Sequence, residues 1–156
     1  MGMTDHIMNE RLSKAFGNNY ARIPLKAAPN IRHGDALEID WAEVLAPNEC
    51  AFVFGNPPFI GAKFQSDEQR KQVRRIANLG GSGRPLDVVC AWFPNAGEYV
   101  RGTQARIAFV ATNSVTQGEQ VAQLWPLLFG RHKLEIAFAH RTFEWMSDAR
   151  GRAHVH

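Results

Sequence analysis

Three short apolar runs constrain this sequence more than any other feature. Ala51-Phe52-Val53-Phe54, Ile107-Ala108-Phe109-Val110-Ala111 and the segment 134–139 show little of the polar alternation expected of a half-exposed strand. Gly55-Asn56-Pro57-Pro58 stops the first of them abruptly. Runs of this kind fit strands buried on both faces. Helical spacing fills the intervals. Ser66-Asp67-Glu68-Gln69 is a capping box that opens a helix to about Leu79. Leu86, Val89, Cys90 and Phe93 recur at helical spacing toward Val100, and Pro94 predicts a kink or break there. A further helix is expected over 118–129, its last turn bent by Pro126. The order strand, helix, helix, strand, helix, strand predicts βαβ units, a parallel sheet and an α/β fold. The remaining expectations are a short helix over 4–17, a loop over 18–30, a strand end or turn at Gly34-Asp35, a glycine-rich hinge at 80–83 and a fourth strand beginning at 153–155.

The chain has 156 residues, room for about one domain with a real core. Apolar residues make up 45% and charged residues 21%, which excludes disordered, collagen-like and coiled-coil classes. No apolar stretch approaches a membrane span, and the opening MGMTDHIMNERL lacks the apolar segment of a signal peptide. His6 stands where myristoylation needs Ser or Thr. Cys50 and Cys90 sit in apolar surroundings and read as reduced thiols, so a cytoplasmic protein without membrane contact is expected. The net charge of +3 combines 13 Arg with 5 Lys. That balance permits nucleic-acid binding without arguing for it.

Asn56-Pro57-Pro58-Phe59 carries the chemistry. It follows the first apolar run directly, at the carboxyl end of a predicted strand, where open α/β sheets bind ligands. Asn-Pro and Pro-Pro are also ordinary turn dipeptides. Each proline restricts the residue before it, so the loop is stiff. It offers the Asn56 side-chain oxygen and the Pro57 carbonyl as two fixed acceptors. An amine on a heteroaromatic ring presents two N–H donors and a lone pair delocalised into the ring. Two acceptors aimed at that amine localise the lone pair for attack. Phe59 supplies a flat face on which the ring can stack.

These residues resemble the S-adenosylmethionine-dependent N6-adenine DNA methyltransferases, whose catalytic loop is Asn/Asp-Pro-Pro-aromatic. The likeness is greatest to large type II enzymes that fuse methyltransferase and restriction activities. It extends through 56–61, through Ala111-Thr112-Asn113-Ser114-Val115-Thr116-Gln117-Gly118-Glu119-Gln120 and through Ala139-His140-Arg141-Thr142-Phe143-Glu144-Trp145. The resemblance implies that 55–61 is the catalytic loop, with Asn56, Pro57, Pro58 and Phe59 as its working residues. It implies cofactor binding by Asp35, Ala36 and Leu37 in the loop after a strand, by Asn56, and by Asp87 at the methionine end. It implies methyl transfer to N6 of an adenine flipped out of double-stranded DNA, without a metal. Lys63, Arg70, Arg74, Arg75 and Asn113 are candidate DNA contacts; a solvated helix face balanced by Asp67 and Glu68 is the plainer reading of the arginines.

The resemblance leaves gaps. No glycine-rich turn precedes Asp35, the acidic residue of a second strand is missing, and no target-recognition domain follows. The expectation is therefore one truncated domain over 1–156, a partial Rossmann-like class I methyltransferase sheet with flanking helices that lacks its N-terminal cofactor-binding strands. Such a chain is expected neither to bind cofactor tightly nor to methylate DNA alone. Its expected partners are DNA, the missing N-terminal segment and a recognition domain, with a homodimer through an exposed sheet edge as a further possibility. Two other readings stand beside it: an amino-methyltransferase acting on RNA or protein glutamine, and a non-catalytic DNA- or partner-binding remnant. His154 and His156 have no third ligand for a metal, Trp125 and Trp145 read as core or interface, and His140-Arg141 as packing or pocket lining.

Overall fold

The computed structural model describes Lys14, residues 29–79 and residues 85–140. Apart from Lys14, the expected helix over 4–17 lies outside the described residues, as do the hinge at 80–83, Trp145, His154, His156 and the strand at 153–155. The chain divides into two units, residues 1–31 and 32–156; the elements below belong to the second.

Among the described residues, two strands form the sheet. β1 (Phe52–Gly55) pairs in parallel with β2 (Arg106–Phe109), Phe52 opposite Arg106 and Gly55 opposite Phe109. A parallel pair needs a long crossover, and two helices supply it: α1 (Asp67–Ile76) and α2 (Val89–Tyr99). After β2 come a 3-10 turn (Asn113–Thr116), α3 (Gly118–Pro126) and a π-helical turn (Leu127–Arg131) that begins directly after Pro126. The fold is thus mixed helix and strand around a small parallel sheet. Among the described residues, no helix is long and apolar enough to cross a membrane.

Local chemistry explains the helix ends. Ser66 Oγ accepts from Gln69 N at 3.2 Å while Gln69 Oε1 accepts from Ser66 N at 2.9 Å, completing the capping box. α1 stops at Ile76, earlier than the sequence suggested. Asn78 takes a left-handed φ of 50°, and Leu79 N donates to Arg74 O while Asn78 N donates to Arg75 O. That is a Schellman closure with asparagine where glycine is usual. α2 passes through Pro94 without a break. Pro94 is buried, and the expected interruption does not occur.

The core lies between the helices. Leu37, Val73, Ala77, Leu86, Val88, Val89, Cys90, Ala91, Val115, Leu124 and Leu128 form it. The sheet rests on α2 through aromatic edges: Trp92 and Phe93 meet Phe109 at centroid distances of 6.2 and 5.4 Å.

Two strand expectations are corrected. β1 is not buried on both faces: Phe52 is 65% and Phe54 77% exposed, whereas Val53 is half-buried. The reason is that α2 covers only the face carrying Phe109, and no described element covers the other. The segment 134–139 is not a strand; Ile136 and Phe138 are exposed and no described strand hydrogen-bonds to it. An apolar run becomes a strand only when a neighbour takes its backbone hydrogen bonds.

Candidate active site

The 56–59 loop leaves the carboxyl end of β1 and is held at both ends. Upstream, Gly55 O accepts from Val110 N at 3.0 Å, just past β2. Downstream, Ile60 O accepts from Val88 N at 3.0 Å, and Ala62 N donates to Asp87 Oδ1 at 2.8 Å. Gln65, buried at 5% exposure, donates from Nε2 to Leu86 O at 2.6 Å. Between these anchors Pro57 is buried, Phe59 half-buried, and Asn56 and Pro58 are exposed. Among the described residues, none donates a hydrogen bond to the Asn56 amide oxygen or the Pro57 carbonyl. The loop is a fixed frame with its acceptors open.

Asp87 is the hub of this frame. Besides Ala62, its carboxylate accepts from Ser114 Oγ at 2.6 Å and Gln120 Nε2 at 3.0 Å. Gln120 Oε1 accepts in turn from Asp87 N at 3.1 Å and from the Cys90 thiol at 2.9 Å. Burial, reinforced by the Asp87 charge, pushes the Cys90 thiol up to about 12, so it stays protonated and serves as a donor. Asp87 thereby ties the end of the loop to α3 and to the turn after β2. The family resemblance implied that Asp87 binds the cofactor; in the structure its carboxylate accepts from three protein donors. Ser114, Gln120 and Gln65 carried no assigned role in the sequence, although Ser114 and Gln120 lie in the run 111–120 singled out there.

Asp35 sits in a turn, not after a described strand. Its Oδ1 accepts from Leu37 N at 2.9 Å and its Oδ2 from Gln72 Nε2 at 2.7 Å. Gln72 also donates to Glu38, which pairs with Arg75 at 2.5 Å. α1 therefore holds this turn by its polar face. Gly34 beside it takes a φ of 154°, a conformation that L side chains rarely adopt, and a Cβ there would also press on Ile39 Cδ1 at 2.7 Å. Leu37 is core, and Ala36 accepts the Trp41 indole N–H at 2.7 Å. A groove of about 350 Å³ opens alongside, lined by Gly34, Ala36, Ile39, Trp41 and Phe54 among others.

The proposed DNA contacts are scattered. Lys63 is exposed in a 3-10 turn (Ala62–Phe64) just past the loop. Arg70, Arg74 and Arg75 are exposed on α1, with Arg70 paired to Asp67 at 3.0 Å and Arg75 to Glu38. Asn113 is half-buried and accepts from Thr116 Oγ1 at 2.9 Å. Trp125 packs against the core, stacking on Phe129 and donating to Val115 O at 2.9 Å.

Known proteins are similar to this chain over nearly its whole length. DNA methyltransferase A of Bacillus subtilis (strain 168) is 39% identical over 156 residues, 98% of this chain and 18% of that protein. The type IIL restriction-modification enzyme MmeI, solved in complex with DNA, matches with a TM-score of 0.79 at 48% identity, over 97% of this chain and 20% of the other. The chain thus spans about a fifth of the length of these relatives. The description of the MmeI DNA-methyltransferase domain fits all of residues 1–156, and the chain belongs to that family.

Proposed function

We propose that this chain forms the catalytic part of an N6-adenine DNA methyltransferase of a restriction–modification system, cytoplasmic and using S-adenosyl-L-methionine. The two strands and their helices are read as part of a Rossmann-like class I methyltransferase sheet. One observation carries the reading: Asn56 and Pro57 present open acceptors on a loop clamped at Gly55, Ile60 and Ala62, at the carboxyl end of a parallel strand.

The residues fit the cofactor in part. Asp35 is exposed beside an apolar groove and each of its oxygens accepts one hydrogen bond, which leaves lone pairs for an adenosine donor. Asp87 has less room for a direct contact, since its carboxylate already accepts from three protein donors. When bound, S-adenosyl-L-methionine supplies an electrophilic methyl group.

The chain's own residues prepare the acceptor. A flipped adenine stacks on Phe59, and its N6 hydrogens donate to Asn56 Oδ1 and the Pro57 carbonyl. The two acceptors draw the N6 lone pair out of the ring's π system. The clamps keep their directions fixed, so the gain comes from positioning and preorganised dipoles. N6 sheds its extra proton after transfer, so no strong base is needed. The DNA complex of the MmeI relative supports DNA as substrate. The remaining segments of a longer polypeptide, a recognition domain or a second copy across the exposed edge of β1 are the partners this reading implies.

The test replaces the matching segment of the MmeI enzyme with residues 1–156 and analyses the products by mass spectrometry. N6-methyldeoxyadenosine is expected. Methylated cytosine, methylated RNA or methylated glutamine would replace this reading with another.

A further inference from the structure

Phe64 is the most exposed large hydrophobic side chain among the described residues, at 84%. It is not on a frayed segment. Phe64 N donates to Gly61 O at 2.9 Å, closing the 3-10 turn that follows the 56–59 loop. Ala62 is pinned to Asp87 on one side of it, and buried Gln65 is pinned to Leu86 on the other. Its ring lies against Gly61, 3.7 Å from where a Cβ would stand. Lys63 beside it is exposed, and the basic residues Arg70, Lys71, Arg74 and Arg75 follow on α1. The acidic residues Asp67 and Glu68 intervene at the helix start, and Asp67 is taken up by Arg70.

We propose that Phe64 is an aromatic wedge for duplex DNA, stacking into the base step opened when the target base leaves the helix, with Lys63 on the adjoining phosphate. This rests on the DNA reading above and adds a residue to it. The chemistry is that of side chains that insert between base steps: a flat apolar group replaces the stacking that the extruded base gives up. Such a group must be exposed before DNA arrives and must not fold back. The pinned turn meets both demands. Its position, five residues past Phe59 and on the same clamped segment, couples the wedge to the base-holding loop.

The probe is a duplex with an abasic position beside a 2-aminopurine, compared with the intact duplex. A gap already lacking its base removes most of the extrusion cost, so binding does not depend on an unknown recognition sequence. The 156-residue chain is expected to prefer the gapped duplex about tenfold, the factor that about 1.4 kcal/mol of base–aromatic stacking produces, and to quench the 2-aminopurine. Phe64→Ala should abolish both preference and quenching with unchanged thermal stability, since the side chain packs on little. Phe64→Trp should retain them. Lys63→Ala should weaken both duplexes equally and reduce the salt dependence by about one counterion. If Phe64→Ala binds with preference and quenching intact, the wedge is refuted while the DNA reading stands. If the wild-type chain binds neither duplex, the wedge falls together with the DNA reading.

Discussion

Removing the Asp87 carboxylate should loosen the candidate active-site loop and destabilise the chain. Asp87→Ala deletes the acceptor of Ala62 N, Ser114 Oγ and Gln120 Nε2. Hydrogen bonds to a charged group contribute about 1.5–3 kcal/mol each. Asp87 is only half-buried, and Ser114 keeps its contact with Thr112 at 2.6 Å, so the low end applies and the losses overlap. The expected cost is about 3 kcal/mol, or a fall in Tm of about 6–12 °C for a chain of this size. Asp87→Asn keeps one acceptor and should lose about half as much. Thermal unfolding followed by circular dichroism measures the global effect. Hydrogen exchange at the Ala62 amide measures the local one and should accelerate in the alanine variant. An Asp87→Ala chain that melts within about 2 °C of wild type with Ala62 equally protected would refute the hub. Asp87 would then be free for the cofactor role that the family resemblance implied.

Further outcomes follow from the α2 region and the turn after α3. The His132 ring is 3% exposed, its Nδ1 3.8 Å from Glu98 Oε2 without a hydrogen bond, and burial holds its pKa below the usual 6.5 despite the Glu98 charge. The unfolded chain therefore takes up the proton first. Stability should fall as pH drops below about 6.5 and level off beneath the folded-state value, and His132→Leu should flatten that part of a denaturation-versus-pH profile. Gly97→Ala gains about 1 kcal/mol of helix propensity but drives a methyl to 3.0 Å from the buried His132 ring. Overpacking of about 1–3 kcal/mol should win, so chemical denaturation should show a net loss of about 1 kcal/mol, whereas a stabilised variant would mean that His132 yields easily.

What the sequence disclosed and what it hid differ in range. The capping box at Ser66 and Gln69 was legible because its two bonds span three residues. The parallel pairing of β1 and β2 was legible because the helical stretch between two apolar runs leaves few other topologies. Asn56-Pro57-Pro58-Phe59 stood out because proline makes local geometry readable. The Asp87 network was hidden, since its partners lie 25 to 33 residues away and serine and glutamine at those positions carry no pattern. The segment 134–139 misled because an apolar run reports hydrophobicity but not the presence of a neighbouring strand. Phe52 and Phe54 misled for a related reason: unbroken hydrophobicity implied two covered faces, and the described helices cover one. Asn78 ended α1 before the glycines could, by adopting the left-handed conformation that asparagine tolerates.

The most direct measurement of the central claim is the single-turnover rate of methyl transfer by Asn56→Ala, read in the same MmeI chimera with DNA affinity measured alongside. Asn56 is exposed and makes no described hydrogen bond, so its removal should leave folding and DNA binding intact. If its oxygen and the Pro57 carbonyl together localise the N6 lone pair, the rate should fall about 100-fold or more, as when one preorganised polar group is removed from a transition-state site. A rate within about twofold of wild type, well under the 1.36 kcal/mol that each tenfold requires, would contradict the claim that this loop performs the transfer.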